Sequence, residues 1–252
     1  EQEAGCRRWL ERLHVSETDV VQIMAFPQRR STGRPSPEWL RFRRHRLTAS
    51  RFSKAAAAVS EDALPGDVEL SRCQLIEEML SQPEAHTSPK RFGVVNEARA
   101  RQAYVGHRLR EQDATARDLF SVKEIGLCIW RDEPWLAASP DGIVWEADGT
   151  VGALEIKCCQ SSSRMYSVDR LSPQFYDQVQ GEMAILSSAL QHAVSWCDFF
   201  VWSPDKRLCR RVPFDAAYFF DRLLPKLRAF YFGCYVPVVQ QVAVGARGDQ
   251  LH

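Results

Sequence analysis

At 252 residues, 45% of them hydrophobic and 26% charged, the chain can bury a sizeable core without disulfide or metal staples. No apolar run reaches the length of a membrane-spanning helix and no secretory signal pattern is present at Glu1, so no membrane partner and an intracellular, reducing location are expected. The formal net charge of +1 argues neither for nor against a nucleic-acid partner.

The eight cysteines form no C-x-x-C pair and have no histidine at zinc spacing, so they are read as small buried hydrophobes. Glu1 stands where a starting Met would, which fits a piece of a longer protein. Charge is unevenly spread. Between Arg29 and Lys54 lie Arg30, Arg34, Arg41, Arg43, Arg44, Arg46 and Arg51, against Glu38 alone. Such a block either attracts phosphates or forms a solvated arginine face.

In chain order, apolar residues at helical spacing (Trp9, Leu10, Leu13, Val20, Val21, Met24) predict an amphipathic helical segment up to about Phe26. "PQRRSTGRPSP" is a loop, followed by mixed helix and turn signals. Residues 70–81 and 92–107 predict helices. "FSVKEIGLCIW", from Phe120, predicts a strand. "GIVWE" and "VGALEIKCC" follow as a hairpin across the turn at Asp148-Gly149. A helix starts at Ser172-Pro173, with Ser172 as its expected N-cap. Two more strands, "SWCDFFVWSP" and "RLCRRVPF", precede a last helix that Pro225 should kink. The sum is an α/β fold without internal repeats.

The hairpin raises a chemical question. In a strand Leu154, Ile156 and Cys158 share one face, leaving Glu155 and Lys157 together on the other. Pairing across the turn brings Asp141 beside Glu155, and two such carboxylates repel unless a cation lies between them. Oxygen ligands suit a hard ion such as Mg²⁺, with Mn²⁺ able to substitute. The alternative is a surface hairpin with an ordinary Glu–Lys salt bridge.

Pro140-Asp141 followed by Glu155-Ile156-Lys157 matches the PD-(D/E)xK nuclease pattern. "SPDG" with "LEIKC", a helix carrying Gly93, Glu97, Ala100 and Tyr104, a helix carrying Phe175, Gln178, Val179 and Gln180, and Trp39, Arg43 and Thr48-Ala49-Ser50 complete a closer likeness. Together these motifs resemble the YqaJ viral recombinase family, the lambda-exonuclease-like group of that superfamily. Cys159 departs from it, standing where the family commonly has Pro.

The resemblance implies a single nuclease domain with a mixed central β-sheet flanked by helices. Residues 1–35 would be a helical and loop extension, 36–215 the catalytic core, and 216–252 a C-terminal helix and tail. It implies that Asp141, Glu155, the Ile156 carbonyl and Glu97 hold the metal, that Lys157 activates or orients water, and that Gln178 is a polar partner nearby. Arg43 and Ser50 fall where the family holds a 5′-phosphate; Arg46, Arg51 and Trp39 join them as DNA-contacting candidates. The bland alternatives are an exposed helix glutamate for Glu97, a core amide for Gln178, a structural ion pair for Arg43 and a core ring for Trp39.

The activity implied is Mg²⁺-dependent 5′→3′ exonucleolysis of linear double-stranded DNA, leaving 3′ overhangs for recombination. The partners implied are duplex ends and a single-strand annealing protein, with a homotrimeric ring and a monomer both open. A structure-selective or site-specific endonuclease on DNA or RNA, and a non-catalytic end-binding module, are the competing functions.

Overall fold

The computed structural model describes residues 2–29, 34–81, 88–111 and 120–248. Its strands form two mixed sheets where the sequence suggested one. The smaller runs β1 (Leu47–Thr48), β4 (Leu136–Ala138), β3 (Cys128–Ile129), with β1 parallel and β3 antiparallel to the central β4. The larger runs β2 (Ser121–Lys123), β5 (Gly142–Trp145), β6 (Val151–Cys158), β7 (Val194–Trp202), β8 (Arg207–Pro213), in which only β6 and β7 are parallel.

The stretch from Phe120 thus splits between the sheets. Gly126 sits at the split, where its N–H donates to the Met24 carbonyl at 2.9 Å. A Cβ there would lie 2.2 Å from the Phe26 carbonyl oxygen, so only glycine fits.

The N-terminal helical segment is likewise two helices, α1 (Gln2–Leu13) and α2 (Glu17–Ala25). Ser16 begins the second, in a reciprocal capping box with Asp19. Then come α3 (Pro37–Arg43), capped by Ser36 over the Trp39 N–H, α4 (Phe52–Ala57), α5 (Pro65–Ser81) and α6 (Ser88–Glu111), the last two longer than their sequence signals.

Helix α7 (Pro173–Leu190) packs between the two sheets, touching β6 and β7 on one side and β3 and β4 on the other. It is therefore buried nearly all round. Ser172 takes the N-cap backbone conformation, but its hydroxyl makes no capping bond. Around Pro225 the last helix does more than kink. The backbone widens to π spacing over Tyr218–Leu223, runs as α8 (Leu224–Phe230), widens again over Tyr231–Tyr235, and ends as α9 (Val236–Gly248). The missing proline N–H and the bulk of its ring interrupt the regular ladder at that point.

Both faces of β6 are covered, so it is no surface hairpin. Leu154 and Ile156 pack with Ala100 and Tyr104 of α6, while Ala153 lies in the core on the α7 side. The turn behaves as expected, with Gly149 at φ +84 and its N–H donating to the Glu146 carbonyl at 3.0 Å. Past β6, the Cys159 N–H donates to the Trp202 carbonyl at 2.7 Å, a bond that proline could not make.

Helix α6 is fastened from below by ions. Tyr104 and Arg108 both reach Asp198 (2.7 and 3.2 Å), and Arg108 and Arg211 share Glu146 (2.8 and 3.1 Å). All eight cysteines are unbridged; Cys128, Cys159 and Cys197 are buried, whereas Cys73 is exposed. Among the described residues no helix is long and apolar enough to cross a membrane.

Candidate active site

The hairpin register pairs Gly142 with Leu154, which places Asp141 next in line beside Glu155. Asp141 Oδ2 accepts the Ile156 N–H at 2.7 Å, so the carboxylate is held against the strand it faces. Glu155 points toward α7 and is only 4% exposed. Its Oε1 accepts from Lys157 Nζ and from Gln178 Nε2, each at 2.7 Å, and Lys157 also donates to Gln178 Oε1 at 3.1 Å. The Lys157 ammonium lies 5.0 Å from the centre of the Phe175 ring. The strand and α7 thus deliver Glu155, Lys157 and Gln178 as one closed triangle.

Glu97 arrives from α6 through an intermediary. Arg101, one helical turn on, donates to Glu97 at 2.9 Å and to the Asp141 carbonyl at 3.0 Å, and pairs with Glu124 at 3.1 Å. The charges feel one another. Burial first, then Glu155 and Glu97, push the Asp141 carboxyl well above its usual range. Burial likewise raises Glu97, against the pull of Arg101. For Lys157 burial opposes the charge, yet Glu155 and Asp141 more than offset it and the ammonium is held above its ordinary value.

This is a cluster of acids that two nearby cations do not satisfy, and oxygen donors under such strain fit a hard divalent ion such as Mg²⁺. As placed, Glu97 leans to Arg101 and Glu155 to Lys157, and among the described residues no three His, Cys, Asp or Glu side chains gather as a metal-binding group.

A second cluster lies on α3 and the turn after it. The Arg43 guanidinium sits 4.6 Å over the Trp39 ring and donates to Thr48 Oγ1 at 3.2 Å, which is in turn 3.4 Å from Ser50 Oγ. Burial, reinforced by Arg51 and Arg29, pushes Arg43 down to about 9. Among the described residues Arg43 has no carboxylate partner, so its guanidinium could accept an anion. Arg51 is tied to the Glu78 carbonyl at 3.1 Å and faces its carboxylate at 4.0 Å.

Arg46 departs from its expected place among the DNA contacts. It is 5% exposed and gives its guanidinium to the carbonyls of Leu13, Phe42 and Pro134. Those three bonds join α1, α3 and the approach to β4, which makes Arg46 a structural tie. Arg30 lies outside the described residues.

Sequence reasoning missed three participants. Arg101 and Glu182 each stand four residues beyond an expected site residue, Glu97 and Gln178, and that helical spacing was the available signal. Glu182 is 1% exposed, accepts from Gln178 Nε2 at 2.8 Å, and is raised well above its usual range by burial and then by Glu155. Ser139, whose Oγ accepts the Trp39 indole N–H at 3.0 Å, carried no signal beyond its place just before Pro140-Asp141.

The fold is one seen in exonucleases. The alkaline exonuclease LHK-Exo from Laribacter hongkongensis superposes with a TM-score of 0.60 at 22% identity, over 84% of this chain and 100% of that one. Its complex with dAMP gives 0.58 at 21% over the same shares. A phage-related exonuclease from Haemophilus somnus 129PT gives 0.52 at 10%, covering 78% of this chain and 96% of that one. A search of curated protein sequences found no match. A family model described as the YqaJ-like viral recombinase domain matches residues 38–189, and the chain belongs to that family.

Proposed function

We propose that the protein is a divalent-metal-dependent nuclease acting as a 5′→3′ exonuclease on linear double-stranded DNA and leaving 3′ overhangs for recombination. The observation that carries this is the hydrogen-bonded convergence of Asp141, Glu155, Lys157 and Gln178 at one end of the β5–β6 hairpin. Asp141, Glu155 and the Ile156 carbonyl would hold Mg²⁺ or Mn²⁺, with Glu97 completing the acidic rim. When bound, the ion would supply Lewis acidity at the scissile phosphate and lower the pKa of water.

The chain's own residues do the rest. Glu155 fixes the Lys157 ammonium where it steadies charge developing on the phosphate and orients the attacking water. Gln178 holds both by its amide. Arg43 and Ser50, with Thr48 between them, suit a terminal 5′-phosphate, since a guanidinium offers charge and planar donors together. Trp39 supports that guanidinium from beneath. Duplex ends are the substrate this arrangement favours, and a single-strand annealing protein is the partner that would receive the product.

The test is degradation of a linear duplex with Mg²⁺ by the wild type and by Asp141→Asn. Loss of at least about 100-fold in rate is expected for removal of a metal ligand. An Asp141→Asn rate near that of the wild type would contradict the assignment.

A further inference from the structure

We infer that Glu182 is a positioning residue of this site, locking the Gln178 amide in the one orientation that serves both Glu155 and Lys157. The inference rests on the nuclease reading above and adds a residue that the reading does not use.

The amide of Gln178 faces three charged partners. Its nitrogen bridges Glu155 Oε1 at 2.7 Å and Glu182 Oε1 at 2.8 Å, and its oxygen accepts from Lys157 Nζ at 3.1 Å. A carboxamide has two donors on one side and an acceptor on the other. Rotated by half a turn, it would set its N–H groups against an ammonium and its oxygen against two acceptors. Glu182 is the second acceptor, the one that occupies the amide hydrogen left over by Glu155. Without it that hydrogen is buried and unmet, and the rotor is held from one side only.

Glu182 gains little for the fold in return. It is 1% exposed, its Oε2 has no hydrogen-bond partner, and it lies near the charge of Glu155. A buried carboxyl with an unpartnered oxygen costs stability, whereas an apolar residue of similar volume would not. A residue kept against stability, one helical turn from Gln178 and aimed at its amide, is explained by what it does to that amide. Its effect travels through Gln178 to the Lys157 ammonium and the Glu155 carboxylate, not to the duplex end.

The two roles separate in experiment. Steady-state kcat and KM for duplex ends would be measured with Mg²⁺ for wild type, Glu182→Leu, Glu182→Gln, Gln178→Ala and the Gln178→Ala/Glu182→Leu double variant, with melting temperatures alongside. Glu182→Leu should lower kcat about 10-fold, about the worth of one buried hydrogen bond felt at the transition state. Its KM should stay within about twofold, and its melting temperature should change little, since relief of the buried carboxyl offsets the amide hydrogen left unmet. Glu182→Gln keeps an acceptor oxygen and should recover most of the rate. In the Gln178→Ala background Glu182→Leu should have no further effect, because the residue acts through the amide. Should the Leu variant fail to fold, Glu182→Met, with its flexible stem, reports the same loss.

Wild-type kcat in the Leu or Met variant, an equally slow Glu182→Gln, or multiplying losses in the double variant would each overturn the inference. A wild-type chain that degrades no duplex would instead overturn the nuclease reading beneath it.

Discussion

Trp39 donates its indole N–H to Ser139 Oγ at 3.0 Å, and so ties the helix that carries Arg43 to the segment that ends in Asp141. The same ring lies under the Arg43 guanidinium. Gln28 adds a second tie, its backbone carbonyl accepting the N–H of the helix-capping Ser36 at 3.0 Å while its amide nitrogen donates to the Pro140 and Ile125 carbonyls at 3.1 and 3.0 Å. The Arg43 cluster and the acidic cluster are therefore mechanically one unit, and under the proposed function a terminal phosphate bound at the first would have a fixed relation to the second.

Trp39→Phe keeps a ring beneath Arg43 and deletes the bond to Ser139. It should cost about 1 kcal/mol of stability, the usual worth of one hydrogen bond. The rate on 5′-phosphorylated ends should fall more than the rate on 5′-hydroxyl ends. Denaturant unfolding and matched-end kinetics check this; equal effects on both ends would count against the coupling.

Arg43 and Arg46 should behave oppositely despite standing three residues apart. Arg46→Ala leaves three carbonyls without their donor and should cost about 3 kcal/mol or more, while the preference between end types survives in whatever folds. Arg43→Ala should change stability little and erase that preference, slowing phosphorylated ends about 10- to 100-fold. Urea unfolding of the two variants beside end-preference assays separates them, and a reversed pattern would exchange their roles.

The acidic cluster predicts an unusual pH dependence. Asp141 is raised in the folded chain, by burial first and then by Glu155 and Glu97, so the folded state binds more protons than the unfolded one. The stability this gives is complete below the unfolded value of about 4 and is lost as pH rises through the folded value. In EDTA, Asp141→Asn should therefore match the wild type below about pH 4 and melt progressively higher than it as the pH rises above that. Added Mg²⁺ should raise the wild type and leave the variant unmoved. Parallel melting curves across the pH range would contradict the shared-charge account.

Under the proposed function, oxygen donors imply a metal preference. Mg²⁺ and Mn²⁺ should support cleavage, and Ca²⁺, with its looser and longer coordination, should bind and inhibit. Cleavage in excess EDTA would remove the metal from the mechanism.

Much of this was legible in the chain. Period-two alternation in "LEIKC" and the turn at Asp148-Gly149 are local signals, and they were enough to bring Asp141 to Glu155. Glu182 and Arg101 were hidden because a charged residue on a helix reads as a solvated face until the neighbouring elements are in place. Arg46 misled for the same reason: within a run of arginines its burial depends on carbonyls from Leu13 and Pro134, which are distant in sequence. The split of the stretch after Phe120 between two sheets was likewise set from afar, by Gly126 fitting under the end of α2.

The most direct measurement of the central claim compares initial rates on three DNAs of one sequence with Mg²⁺. These are a linear duplex with 5′-phosphates, the same duplex with 5′-hydroxyls, and the covalently closed circle. The account predicts fastest loss of the phosphorylated duplex, slower loss of the hydroxyl form by about 10-fold or more, and an intact circle. Cutting of the circle at the linear rate, or equal rates on the two linear forms, would contradict an exonuclease that engages a 5′-phosphate.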